Sequence, residues 1–91
     1  MRTIERTTKF KRDYKREVKS DSKLNDQLLS VIEMLATDAD LPERLRDHSL
    51  AGEWKGFRDC HVRPDLVLIY EKVGANVIVL ARPGSHSELF G

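Results

Sequence analysis

The hydrophobic period of this 91-residue chain changes once, near residue 53, and that change constrains its fold more than any other feature. Before it, apolar residues recur every three or four positions, as on amphipathic helices. After it, they alternate or run together in short stretches, as in strands. Residues 1 to 6 are predicted as a short strand anchored by Ile4. Thr7 or Thr8 can cap the next segment, where Phe10, Tyr14 and Val18 form one thin stripe on a helix running to about Lys19. Ser20, Asp21 and Ser22 break that helix and offer a second cap. Leu24, Leu28, Val31, Ile32 and Leu35 then mark a helix ending near Ala36. The short polar connection predicts a helical hairpin.

Residues 37 to 53 carry no period, and Pro42 and Gly52 mark them as loop with one helical turn near Glu43 to Arg46. Residues 54 to 62 are read as strand with a bend at Gly56, and Pro64-Asp65 as a turn. Leu66 to Tyr70 and Val77 to Leu80 are buried-type strands joined by a hairpin turn at residues 73 to 76. Pro83-Gly84 is expected to end the last strand, leaving a short polar tail. The order implies an α+β fold, in which two N-terminal helices pack on one face of a small twisted, mostly antiparallel sheet. The less covered face is left for a site. The length permits one domain, residues 1–91.

Several classes are excluded. The longest apolar run, Leu66 to Tyr70, is far short of the ~20 residues of a membrane span, and no signal peptide is visible. A single cysteine, Cys60, excludes an internal disulfide and a Cys-rich zinc module, so a reducing cytoplasmic compartment is expected. Net charge is only +1, but it is unevenly spread. Residues 1 to 20 carry eight Lys or Arg against three acids, and residues 21 to 40 carry one Lys against five acids. Such a chain has two electrical faces, and the basic one suits phosphates or an acidic partner.

The three histidines, His48, His61 and His86, all lie in the second half, among Asp59, Asp65, Lys55, Arg58 and Arg82. Residues two apart in a strand share a face, so Asp59 and His61 should point one way and Arg58, Cys60 and Val62 the other. Antiparallel pairing can gather the set at one end of the sheet. Histidines near neutrality supply an acid and a base, and guanidinium forks suit phosphate oxygens. These are the requirements for cleaving RNA through its own 2′-hydroxyl. The competing reading is that strand-edge histidines are merely solvated. A three-histidine zinc site is the weaker reading, because there is no His-x-His and the spacings are 13 and 25 positions. Phe90, one residue from the end, can offer a stacking surface to a base.

Residues 47 to 91 carry a resemblance. The runs Asp47-His48-Ser49-Leu50, Gly52 to Val62, Pro64 to Tyr70 and Arg82 to Gly91 together resemble the YafQ toxin branch of the RelE superfamily, mRNA interferases of bacterial type II toxin–antitoxin systems. The resemblance implies a RelE-like fold and endoribonucleolytic cleavage of mRNA in the ribosomal A site. Its products would be a 2′,3′-cyclic phosphate, or its opened 3′-phosphate, and a 5′-hydroxyl. It implies catalytic positions at His48, His61, Asp65 and His86, with His61 and His86 in acid–base roles. Arg82, Phe90, Lys55 and Arg58 would contact RNA. Leu66 stands where relatives often carry tryptophan, which implies a weaker contact there. No cofactor and no metal are expected. The implied partners are a DinJ- or RelB-like antitoxin, the ribosome and mRNA, with operator DNA reached only through the antitoxin complex, and no membrane. The alternatives kept open are a ribosome-independent ribonuclease and a non-catalytic binding module of the same fold.

Overall fold

The polar breaks predicted around the helices are where the helices begin. In a computed structural model describing all 91 residues, Thr7 caps α1 (Thr8–Val18), its side-chain oxygen accepting from Phe10 N at 2.9 Å. Asp21 caps α2 (Ser22–Ala36) by accepting from Leu24 N at 3.0 Å. Such caps satisfy amide donors that the first helical turn leaves without partners. Before them lies β1 (Thr3–Arg6), and after them β2 (His48–Ser49), β3 (Arg58–Arg63), β4 (Leu66–Val73) and β5 (Val77–Gly84). The chain ends in α3 (His86–Phe90).

The sheet order is β1-β5-β4-β3-β2. Only β1 and β5 run parallel; the other three pairings are antiparallel. The α1–α2 hairpin covers one face. The main core lies there, built from Phe10, the apolar stripe of α2, and the inward residues Cys60, Val62, Leu66, Leu68, Tyr70, Ile78 and Leu80. On the opposite face a smaller cluster of Val67, Ile69, Ala81 and Leu89 is flanked by Leu50, Trp54, Phe57 and Phe90. The alternation along β3 and β4 is the physical reason that each face acquires its own cluster.

The structure departs from the sequence reading in four places. The loop of residues 37 to 53 contains the two-residue strand β2, which pairs with Asp59 and Arg58. That segment is too short to leave a period. Trp54 lies in a 3₁₀ turn (Gly52–Trp54), and the strand begins only at Arg58. Strand β5 continues through Pro83 to Gly84. This is tolerated because β1 stops opposite Leu80, so beyond that point β5 is an edge and a missing amide donor leaves no neighbour unpaired. Finally, the expected polar tail is helix α3, capped by Ser85, whose hydroxyl accepts from Glu88 N at 3.2 Å. Its Leu89 is buried, and Phe90 is half-buried against the smaller cluster.

Candidate active site

Strand register assembles the second-face cluster. His48 pairs with Asp59, Asp59 with Ile69, and Ile69 with Arg82, so one row crosses four strands. In the adjacent row His61 pairs with Val67 and Val67 with Gly84. Two residues later His86 opens α3. The result places the His61 and His86 rings with centroids 6.2 Å apart and the His86 and Phe90 rings 4.7 Å apart. A bulge at Ile69/Tyr70 inserts Ala81 as an extra residue and turns it towards this face. Gly84 permits the return of α3: a Cβ there would meet Glu88 Oε1 at 2.6 Å and Leu89 at 3.2 Å.

Asp59 is the unusual member. Its side chain is fully buried, yet neither carboxylate oxygen has a hydrogen-bond donor. His48 Nδ1 lies 3.1 Å from Oδ1 but 2.8 Å from the carbonyl of Arg46. A carbonyl only accepts, so Nδ1 carries the hydrogen and directs it there. The Nε2 lone pair of neutral His48 is then free for a substrate. Burial pushes the Asp59 carboxyl above its usual range, although the charges of His48, His61 and His86 pull it back. The charge of this one carboxylate is therefore felt by all three imidazoles, with His48 in direct contact at 3.1 Å.

Arg82 is held from behind. Its Nε donates to Oδ2 of Asp13 at 2.6 Å, and Asp13 is itself fully buried on the predominantly basic helix α1. Burial opposes the charge on Asp13. The hydrogen bond from Arg82 and the nearby guanidiniums of Arg82, Arg16 and Arg12 outweigh that and hold the carboxyl below its usual range. Arg16 also bonds Glu88 of α3 at 2.6 Å, tying α1 to the helix that carries His86 and Phe90.

Of the residues picked from sequence, His48, His61, His86, Arg82 and Phe90 are brought to this region. Asp65 stands exposed at the β3–β4 turn, with no hydrogen bond or ion pair to a histidine. Lys55 is exposed in the loop before β3. Arg58 is not brought in: it pairs with Asp47 at 2.9 Å, an acid that also receives the Tyr70 hydroxyl. No group of three His, Cys, Asp or Glu side chains has the geometry to hold a metal ion. Sequence reasoning missed Asp13. Its signal was an acid flanked by Arg12 and by Arg16 one turn on, in a helix where cations outnumber acids.

Comparison with known proteins places this geometry in a family. Residues 2–91 match the family model described as the bacterial toxin of type II toxin-antitoxin system, YafQ. The mRNA interferase toxin YafQ of Escherichia coli K12 is 36% identical over 90 residues, covering 99% of this chain and 97% of that protein. Among solved structures, a chain of the E. coli DinJ-YafQ complex superposes with a TM-score of 0.87 at 36% identity, over the full length of both chains. A metal-bound toxin from Helicobacter pylori gives 0.85 at 47% identity, over 99% of this chain and 100% of that one.

Proposed function

The chain belongs to the YafQ family of bacterial type II toxins, an endoribonuclease by that kinship, and we propose that it cleaves mRNA in the ribosomal A site by histidine acid–base catalysis. The observation that carries this reading is the meeting of His48, His61 and His86 around the buried charge of Asp59, with Arg82 in the same strand row. The 2′-hydroxyl attacks the adjacent phosphorus. One imidazole takes its proton, and another, as imidazolium, gives a proton to the departing 5′ oxygen. His61 and His86 are the proposed acid–base pair, neighbours with ring centroids 6.2 Å apart. His48 and Asp65 assist. Arg82, anchored through Nε, turns its remaining donors to the developing phosphorane charge. Phe90 offers its ring to a base. Lys55 and Arg58 are proposed only as peripheral backbone contacts.

The proposed partner is a DinJ-type antitoxin, supported by the DinJ-YafQ complexes of relatives. The basic residues of α1 supply a surface for which such an antitoxin and ribosomal RNA would compete. Operator DNA would be reached through the antitoxin. The test compares mRNA alone with mRNA bound to translating ribosomes, at stoichiometric toxin. Cutting confined to the ribosome-bound message, leaving 5′-hydroxyl ends, is the expected result. Equal cutting of naked RNA would replace the A-site reading with a free ribonuclease.

A further inference from the structure

Beyond the histidines, β3 has a bare edge. Strand β2 pairs only with Arg58 and Asp59, so the outer edge from His61 to Arg63 has no strand neighbour. The 3₁₀ turn at Glu43–Leu45 and the residue after it lie against that edge instead. Between them is a cleft of about 380 Å³, lined by Arg44, Arg46, His61, Val62, Arg63 and Pro64. That is the volume of roughly a dozen water molecules. No acid lines it. Arg63 is committed elsewhere, to Asp21 at 2.8 Å and Gln27 at 2.6 Å. Arg44 and Arg46 are exposed, and neither forms an ion pair with any carboxylate of the chain.

Arg46 has a further peculiarity. Its φ of 47° and ψ of 44° are left-handed, a conformation that a side chain with a Cβ resists. Strain of this kind is kept where surrounding structure enforces it. Here the conformation coincides with two placements: the Arg46 carbonyl at 2.8 Å from His48 Nδ1, and the residue itself in the lining of the cleft.

We propose that this cleft seats a phosphodiester of the RNA strand next to the bond being cut, held by Arg44 and Arg46 and continuous with the reaction centre through His61. This rests on the ribonuclease reading and adds a substrate subsite to it. The shape of the wall favours RNA over an acidic protein segment. Antitoxin peptides that wrap a globular surface bury apolar side chains as well as acids, whereas this cleft presents Val62 as its single hydrophobic residue. A phosphate needs only the guanidinium forks. Arg46 then reports occupancy to His48, because the same residue holds phosphate with its side chain and the imidazole with its carbonyl.

The test measures binding of wild-type protein to ribosomes programmed with an mRNA whose A-site codon carries a 2′-deoxy nucleotide at the cut, which removes the nucleophile. Single methylphosphonate linkages are then walked along the flanking positions. One neutral linkage should weaken wild-type binding about tenfold, and the same linkage should have no further effect on Arg44→Ala. Arg44→Ala should lower the slope of log affinity against log salt by about 0.7, the contribution of one single-strand phosphate. Arg46→Asn, which tolerates the left-handed backbone, should behave alike; if it fails to fold, the exposed Arg44 position carries the test alone. The proposal is overturned if no linkage distinguishes Arg44→Ala from wild type. It is equally overturned if Arg44→Ala binds RNA normally but loses its antitoxin. Wild-type protein that neither binds nor cuts programmed ribosomes would sink the functional reading itself, which separates the two failures.

Discussion

Asp59 shows what one residue's surroundings can do. A carboxylate with no donor inside a protein is destabilising by about 1–3 kcal/mol, and Asp59 has none. Its native pKa is raised by burial. Between the unfolded carboxyl value of about 3.9 and the raised native value, the folded chain keeps a proton that the unfolded chain has lost. Stability therefore falls as pH rises through that window, and the penalty is fully present above it. Asp59→Asn should melt higher than wild type at neutral pH, by about 4–8 °C for each kcal/mol relieved, and should flatten the loss of stability above pH 4. A variant with wild-type melting and an unchanged loss of stability above pH 4 would contradict the burial penalty given to this carboxylate.

At the scale of elements, α1 does more than cover the sheet. Thr7 accepts from Phe10 N and donates its hydroxyl to the Ala81 carbonyl at 2.7 Å, so the helix start is fastened to the bulge of β5. Thr7→Ala removes both bonds and should destabilise by about 1–2 kcal/mol, read in chemical denaturation. Asp13 fastens the other side by fixing Arg82. Its lowered pKa means its contribution is present above the unfolded carboxyl value and is lost as pH falls through the native one. Asp13→Asn should slow cleavage about as much as Arg82→Ala. The double variant should be no slower than Arg82→Ala alone, whereas additive losses would mean that Asp13 acts on something else.

The elements also show why sequence reading succeeded and stopped where it did. Helix α2 announced both its ends, because the 3.6-residue stripe and the Asp21 cap are local features. Strands β4 and β5 were legible from their unbroken apolar runs. Strand β2 was not, since two residues cannot show a period and its existence depends on partners nine and eleven residues on. Helix α3 was hidden because five residues with one buried leucine look polar until the smaller cluster receives Leu89. The three histidines could be named from residue types and from family resemblance. The buried clasp of Asp13 on Arg82 spans 69 positions, and no local pattern encodes it.

For the whole molecule, the division into two faces organises everything else. One face holds the large core that makes the domain stable; the other has a smaller apolar cluster and leaves His48 and His86 open to solvent. No helix is long and apolar enough to cross a membrane. The basic residues of α1 lie on the helix that also braces Arg82 and α3, so a partner covering α1 would touch the supports of the site as well as its charge. An antitoxin bound there should suppress cleavage more strongly at low salt than at high salt, because part of its hold is electrostatic.

The central claim is that the imidazoles facing Asp59 perform the proton transfers. The most direct measurement is the single-turnover cleavage rate of ribosome-bound mRNA by wild type and His86→Ala, with 5′-hydroxyl ends mapped for each. The predicted result is a loss of about 10²–10⁴-fold in the variant, with ribosome binding and melting temperature retained. An unchanged rate in a folded, ribosome-bound His86→Ala protein would contradict it.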